Sequence, residues 1–299
     1  MGKKSLSPLP AIYRNYFVYQ QKYHQASDHA VKQSQRVLRA FEGYLKRKRI
    51  KLEALQIEHI DRFRWEFFKN FSDNTRRVYR SRLRGFLRYL YYERRILKKD
   101  LASLINGAPL FAQSKPPKFL RPDEVNRLFA GLKYKKARDL RAAAMVHLAY
   151  LLGLRPSEIS LLKLGDIHFG KAEIRLVHRK NDYPMSLPLP EKLIKVIAAY
   201  LVGGRAESEQ RNLFLTLHSP YRPVQPNTIA ACIKRRMQAV GLPGTAYWLR
   251  HTYAQNLLKA GLSIYEVKEM LGHTSIESTR RYLHIHIKLM REVLFDEDF

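Results

Sequence analysis

A tyrosine, a histidine and an arginine stand at spacings that could carry out chemistry on a phosphodiester. Tyr282 lies nine residues after His273, and Arg250 precedes both in the segment Leu-Arg-His at 249–251. The phenol of a tyrosine is an oxygen nucleophile that can form a long-lived bond to phosphorus. An arginine beside it can neutralise a phosphoryl oxygen with charge-assisted hydrogen bonds. This combination predicts covalent chemistry on a DNA backbone.

A second arginine, Arg155, directly precedes Pro156, and proline is typical of the first residue of a helix. The N-terminus of that helix would attract an anion, and two guanidinium groups could stabilise the charge that develops on a phosphate. We therefore expect Arg155 and Arg250 to bind the reacting phosphate. The alternative is that Arg155 is a helix-terminal arginine paired with Glu158 or Asp166.

The chain carries more positive charge than solubility requires. Its 299 residues include 55 Lys and Arg against 26 Asp and Glu, which gives a formal charge of +29. Basic residues are interleaved with aromatic residues along the chain rather than confined to one amphipathic helix, so nucleic acid is favoured over a membrane surface. Double-stranded DNA is therefore the expected partner.

Cysteine usage and apolar stretches predict a cytoplasmic protein. The single cysteine, Cys232, excludes an intramolecular disulfide and a Cys-rich metal site. The longest apolar stretch, 142–152, is too short to span a bilayer, and no apolar signal region follows the first residues. The sequence has neither the paired carboxylates of a two-metal nuclease nor a Gly-rich phosphate loop, so no metal and no other cofactor is expected.

Residues 1–110 are predicted to form a helical domain, because Gly and Pro are rare there and apolar residues recur at helical spacing. Ser27 and Asp73 are the expected N-caps of two of its helices. The helices are expected at about 10–25, 28–48, 58–70 and 73–95. Residues 111–119, with Pro116 and Pro117, are predicted to be an extended linker.

Residues 120–299 are predicted to form a second domain in which a small sheet is inserted among helices. Apolar and polar residues alternate within 172–190, which predicts short strands around a turn at 180–182. Gly153 and Gly272 are among the expected helix ends. Helices are expected to begin at Pro122 and Pro156 and to cover about 138–152, 190–202, 226–240, 250–260 and 263–271.

Four motifs, in order along the chain, resemble those of the tyrosine recombinase (phage integrase) family in its two-domain, Xer-like form. They are Gly-Leu-Arg-Pro-Ser-Glu at 153–158, Val-His-Arg-Lys at 177–180, Leu-Arg-His-Thr at 249–252, and Leu-Gly-His at 271–273 followed by Tyr282. Any one of them would be a weak signal, whereas four in this order are specific. The resemblance covers nearly the whole chain.

The resemblance implies a role for each matching residue. Tyr282 would be the nucleophile, Arg155 and Arg250 would bind the phosphate, and Lys180 would protonate the leaving 5′ oxygen as general acid. The alternative for Lys180 is a solvated lysine at a hairpin tip. Arg179 is the competing candidate, although an arginine does not readily give up a proton.

Histidines and a second tyrosine complete the set of candidates. His273 would donate a hydrogen bond to the phosphate, and the alternative is a histidine that satisfies the carbonyls at a helix end. His251 points about 100 degrees away from Arg250 on the same helix and is interpreted as structural.

Tyr247 departs from the family pattern, which commonly has histidine at this position. A phenol can donate the same hydrogen bond but is a poor base near neutrality. Tyr247 is also an alternative nucleophile, but the family pattern places the attacking tyrosine at 282.

The expected fold is mainly α with a small β-sheet insertion, arranged as a two-domain clamp: a helical core-binding domain plus an α+β catalytic domain of the tyrosine recombinase type. The expected function is site-specific DNA recombination through a 3′-phosphotyrosyl intermediate. A type IB topoisomerase, which relaxes DNA by similar chemistry, and a non-catalytic sequence-specific DNA-binding protein are the alternatives.

The tail after the nucleophile covers residues 283–299. Its segment 283–295 is too apolar to be left in water, whereas the acidic residues 296–298 are expected to stay solvated. In the family that the chain resembles, this tail docks into a neighbouring protomer and links a homotetramer on two DNA duplexes, in some cases with a second recombinase. Leu289, Val293, Leu294 and Phe295 are spaced to share one helical face. The alternative is a helix packed on its own domain.

Overall fold

The computed structural model describes residues 8–105, 117–177 and 184–272, together with Thr279. The chain divides into two compact units, Met1–Leu110 and Phe111–Phe299. The described residues are mostly helical and contain one three-stranded antiparallel sheet, so the prediction of a mainly α fold with a small β insertion is confirmed. None of the helices in these ranges is long and apolar enough to cross a membrane. The linker and the clamp arrangement stay predictions.

Residues 8–105, the described part of the first unit, form four α-helices, as predicted. Ser27 caps the second helix, because its hydroxyl accepts a hydrogen bond from the backbone N–H of Ala30. The predicted cap Asp73 is wrong. Ser72 is the N-cap, and Asp73 is instead the first helical residue, where a carboxylate faces the positive end of the helix dipole. The helices are α1 (Ala11–His24), α2 (Asp28–Lys48), α3 (Ile57–Phe68) and α4 (Asp73–Arg88).

A π-helical turn, Tyr89–Glu93, continues α4 where the sequence predicts one unbroken helix to residue 95. Aromatic rings fill the core of the unit: Tyr13 stacks on Phe86 with ring centroids 4.7 Å apart, and Phe41 meets the edge of Phe63 at 5.0 Å. Such pairs bury large apolar areas at defined ring angles. The apolar residues whose helical spacing predicts these helices are therefore the residues that form this core.

The second unit packs its helices around a central one, Ala137–Leu151. Every side chain from Ala142 to Ala149 in this helix is buried, which is typical of a helix covered on all sides. The helices are α5 (Pro122–Ala130), α6 (Ala137–Leu151), α7 (Pro156–Leu161), α8 (Glu191–Gly203), α9 (Pro226–Gln238), α10 (Ala246–Lys259) and α11 (Ile264–Leu271).

The sheet has the strand order β1 (Ile167–His168), β2 (Glu173–Leu176) and β3 (Met185–Pro188). Ile174 pairs with Leu187, and both side chains are buried, which confirms the predicted alternation. The two-residue strand β1 is not predicted, because it is too short to alternate. The predicted turn at 180–182 lies outside the described residues.

One predicted helix boundary bears on function. The sequence predicts that a helix begins at about 250, whereas α10 begins at Ala246. Ala246 and Leu249 are fully buried in the core of the unit, and this packing outweighs the weak helix propensity of the aromatic residues between them. Tyr247 and Arg250 consequently lie on one helix, about one turn apart.

Candidate active site

A glycine turn connects α6 to α7 and begins the site. Gly153 has φ of +60°, a left-handed conformation that side-chain-bearing residues rarely adopt. A Cβ atom at this position would also overlap the ring of Tyr253 on α10. Gly153 therefore permits both the sharp turn and the close approach of α10.

Arg155 is the N-cap of α7, and Pro156 is the first residue of that helix, as predicted from the sequence. Its guanidinium Nη1 donates to Glu158 Oε1 at 2.6 Å, and its backbone N–H donates to Glu158 Oε2 at 2.7 Å. The pairing with Glu158 that the sequence leaves open is thus present. Asp166, the other possible partner, accepts instead from the backbone N–H of Lys163.

Arg250 lies in the middle of α10, and only 4% of its side chain is exposed. Its Nη1 donates to the carbonyl oxygen of Gly153 at 2.5 Å, and its Nη2 donates to the carbonyl oxygen of Leu271. The same Nη1 is 3.7 Å from Glu158 Oε2. Main-chain carbonyls at the end of α11 and in the Gly153 turn therefore fix the orientation of this buried guanidinium group.

The buried carboxylate of Glu158 connects the two arginines. It is 4% exposed, forms the close ion pair with Arg155, whose side chain is 16% exposed, and lies near the guanidinium of Arg250. A buried guanidinium is stable only when its charge is compensated and its N–H groups are hydrogen-bonded. One carboxylate between two arginines leaves a net positive charge, which suits the binding of a phosphate.

The end of α11 also reaches this site. Gly272 ends the helix in the left-handed conformation, with φ of +60°, and its carbonyl oxygen accepts from Arg155 Nη2 at 3.3 Å. Arg155 and Arg250 thus each hold one of the last two carbonyls, those of Gly272 and Leu271. Three sequence motifs that are far apart in the chain meet at this point.

Contacts at the start of the unit hold α10 in place. The hydroxyl of Thr252 accepts from the backbone N–H of Leu120 at 2.9 Å and donates to the carbonyl oxygen of Trp248 at 2.8 Å. The ammonium group of Lys118 lies 5.6 Å from the centre of a Trp248 ring, within the range of a cation–π contact. These contacts fix the helix that carries Arg250.

Tyr247 and His251 flank Arg250 on α10. Tyr247 is 54% exposed in the first turn, so its hydroxyl is accessible to a ligand. His251 is half-buried on the neighbouring helical position. A hydrogen-bonding role for the accessible phenol of Tyr247 is compatible with this location.

Three of the residues predicted to take part in chemistry, Lys180, His273 and Tyr282, lie outside the described residues, as does Arg179. Their roles stay predictions. Thr279, three residues before Tyr282, is described and fully buried. Within the described ranges, no group of three or more His, Cys, Asp or Glu side chains is placed to hold a metal ion.

From the sequence, Glu158 is predicted only as an alternative partner of Arg155 and not as a residue of the site. The signal was present, because a glutamate three residues after an N-cap can accept the N–H of that cap. The carbonyl partners of Arg250 left no such signal, since they depend on how α6, α10 and α11 pack together.

Residues 118–288 match the model of the Phage integrase family. This region contains every residue of the site, and it makes up more than half of the chain. The chain therefore belongs to the phage integrase family, a class of tyrosine-type DNA strand transferases.

Curated relatives agree with this assignment. The chain is 30% identical over 226 residues to the putative integrase/recombinase y4rA of Sinorhizobium fredii, covering 73% of this chain and 54% of that protein. It is 28% identical over 270 residues to a tyrosine recombinase of Thermosipho africanus, covering 86% of this chain and 91% of the relative. The chain thus spans about half of the first relative and nearly all of the second.

Solved structures show the same fold. A crystal structure of the XerH site-specific recombinase, bound to a palindromic difH substrate in a post-cleavage complex, superposes with a TM-score of 0.76. The match covers 96% of this chain and 85% of that chain at 18% sequence identity. At this identity the likeness concerns the fold.

Proposed function

We propose that this protein is a site-specific DNA recombinase that cleaves and rejoins DNA through a 3′-phosphotyrosyl intermediate on Tyr282. The observation that carries the proposal is the pair Arg155 and Arg250, held on the buried carboxylate of Glu158 in a chain of this family. Two fixed guanidinium groups match the charge that builds on the non-bridging oxygens of a phosphodiester during displacement. Their fixed orientation needs little reorganisation as that charge appears.

The proposed reaction has two steps, cleavage of one strand and rejoining to another. The hydroxyl of Tyr282 gives its proton to water and attacks phosphorus, the bond from phosphorus to the 5′ oxygen breaks, and Lys180 protonates the departing oxygen. The 5′ hydroxyl of a partner strand then gives its proton to Lys180 and attacks the phosphotyrosine, and the released Tyr282 regains a proton from water. The energy for rejoining is conserved in the phosphotyrosyl bond, so the reaction consumes no nucleotide.

His273 and Tyr247 take supporting roles in this mechanism. His273 donates a hydrogen bond to the scissile phosphate. Tyr247, accessible on the first turn of α10, donates a hydrogen bond at the position where the family commonly has histidine. Because a phenol is a poor base near neutral pH, Tyr247 orients the substrate rather than removing the proton of the nucleophile.

The partner in this proposal is double-stranded DNA carrying a specific site. The first unit acts as the core-binding domain, the second as the catalytic domain, and the tail 283–299 links four protomers on two duplexes. The charge of +29 supports a polyanionic partner for the chain as a whole. Deletion of residues 288–299 is expected to leave single-site binding intact and to prevent assembly of the paired complex, as measured by light scattering with paired sites.

The experiment that tests the chemistry uses a suicide substrate, in which a nick downstream of the scissile phosphate lets the short fragment with the new 5′ hydroxyl diffuse away. Wild-type protein is expected to accumulate a covalent adduct, and Tyr282→Phe is expected to form none while binding duplex normally. Tyr247→Phe is the matched control and should still form the adduct. An adduct on the Tyr282→Phe variant would refute the assignment of the nucleophile.

The role of Lys180 has a separate chemical test. A substrate with sulfur in place of the leaving 5′ oxygen releases a thiolate, which departs without a proton from a general acid. The Lys180→Ala variant should cleave the oxygen substrate slowly and the sulfur substrate at nearly the wild-type rate. The Arg179→Ala variant, which removes the competing candidate, should show no such rescue.

A further inference from the structure

The first unit contains a cavity of about 650 Å³ between the second half of α1 and the end of α4. Ala26 and Ala30 line it from the start of α2, and the π-helical turn contributes Tyr89 and Tyr92. Its volume lies within the range of small-molecule sites, roughly 300–1,000 Å³. π-Helical turns occur often at functional sites. The cavity belongs to a different unit from Arg155 and Arg250.

A run of tyrosine rings lines this cavity. The ring of Tyr89 lies 5.3 Å from that of Tyr16 and 5.0 Å from that of Tyr19, measured between ring centres. Tyr16 and Tyr89 are buried, whereas Tyr92 is 58% exposed. Aromatic surfaces of this kind stack on the planar bases of nucleotides.

The cavity is also positively charged. Arg82, Arg84 and Arg88 of α4 line it, whereas Glu93 is the acidic residue among its lining side chains. The carboxylate of Glu93 already accepts a hydrogen bond from the hydroxyl of Tyr19 at 3.0 Å. Arginine side chains favour phosphate, which they bind with charge-assisted hydrogen bonds. The lining therefore combines recognition of a planar ring with recognition of an anion.

A glycine of α4 is part of the cavity wall. Gly85 lines the cavity, and a Cβ atom at this position would come within 2.6 Å of the hydroxyl of Tyr16. The missing side chain therefore allows Tyr16 to reach the backbone of α4.

We propose that this cavity binds a nucleotide unit, a planar base joined to a phosphate. The base stacks on Tyr92, whose ring is accessible, and Arg88 pairs with the phosphate. The unit is either a free deoxynucleoside monophosphate or one nucleotide of single-stranded DNA, which share this chemistry. Duplex DNA does not fit this mode, because pairing and stacking cover the edge and faces of each base.

Binding is tested with the full-length chain. Calorimetric titrations with dAMP, dCMP, dGMP and dTMP, and fluorescence anisotropy with a labelled hexathymidylate, should detect saturable binding of at least one probe. Binding of a monophosphate would identify the free nucleotide as sufficient, and binding of the hexamer alone would identify a single strand as the source. The absence of saturable binding of all five probes at millimolar concentration would overturn the proposal.

Two variants and one control separate this site from general charge attraction. Tyr92→Ala and Arg88→Ala should each weaken binding of the probe at least about fivefold, the scale for loss of one base stack or charged hydrogen bond. Arg77→Ala is the control, because Arg77 is an exposed arginine of the same helix that does not line the cavity. An equal loss in Arg77→Ala and Arg88→Ala would mean that charge alone explains binding, and the proposal would fail.

Discussion

Arginines in the two units occupy opposite environments. On α4 of the first unit they are concentrated along one helix with few acidic partners, and two of them, Arg77 and Arg88, are exposed. Burial lowers the pKa of the Arg80 guanidinium below its ordinary value, and the positive charges of neighbouring arginines lower it further. Those neighbours are Arg64, Arg77 and Arg84. Like charges held this close favour a polyanion that would relieve their repulsion.

In the second unit, Arg155 and Arg250 are largely buried, and their orientation is fixed by Glu158 and by main-chain carbonyls. Under the proposed function, the same side chain serves two purposes. Solvated arginines would supply affinity that depends on salt, whereas buried and oriented arginines would supply the geometry of the reaction. Substitutions in the two regions should therefore affect different measurements.

The largest effect is expected from removing a site arginine. Arg155→Ala and Arg250→Ala should each slow single-turnover cleavage of the suicide substrate by at least about a hundredfold, because one preorganised donor to the phosphate is lost. Duplex affinity, measured by fluorescence anisotropy, should change much less. Cleavage within a few-fold of the wild-type rate in a variant that melts normally would contradict the role of that arginine.

Glu158→Gln should affect stability as well as rate. The substitution removes the negative charge that compensates two buried guanidinium groups, so the free energy of unfolding in urea should fall by about 3 kcal/mol, as for other broken buried pairs. Glu191→Gln is the control, since Glu191 pairs with Lys195 at 2.6 Å on the surface and should matter little. Equal stability of the two variants would argue against the bridging role.

Arg77→Ala, on α4, should change binding but not chemistry. The slope of log affinity for duplex against log salt concentration should become shallower by about one unit if Arg77 contacts one phosphate. Cleavage at saturating protein should proceed at the wild-type rate. A slower reaction at saturation would show that the surface and buried arginines do not divide these tasks.

The smallest effect concerns acid stability and His147 in α6. Burial lowers the pKa of His147, and the charge of Lys192 lowers it further, although a hydrogen bond with the carbonyl oxygen of Ala143 opposes the shift. The folded-state pKa is then below the unfolded value of about 6.5, so the unfolded state binds protons more readily and stability falls as the pH drops below that value. His147→Leu should reduce the loss of stability between pH 7.5 and 5.5 in urea titrations. His218→Leu, at an exposed position, should retain it.

Local sequence signals predicted the elements that depend on local chemistry. Ser27 as a cap, Pro156 after Arg155 and the alternation around Ile174 each follow from neighbouring residues, and the structure confirms them. The cap at Ser72 was missed because serine and aspartate are both good caps, and adjacent candidates differ by one residue in register.

The contacts of the site could not be predicted in the same way. That Arg250 is buried, and that it donates to the carbonyls of Gly153 and Leu271, depends on three helices that the chain brings together from separate segments. The start of α10 at Ala246 has the same origin, since burial of Ala246 outweighs local propensity. Residue types indicated which side chains could react, and packing determined their partners.

The most direct test replaces one arginine by lysine in the buried site and one on α4. This substitution keeps the positive charge and removes the planar guanidinium group. Arg250→Lys should slow single-turnover cleavage on the order of a hundredfold with nearly unchanged duplex affinity, because an ammonium group cannot reproduce the oriented donors. Arg77→Lys should leave both cleavage and affinity close to wild type. Equal behaviour of the two variants, with both folded by thermal melting, would contradict the division between buried arginines for chemistry and exposed arginines for affinity.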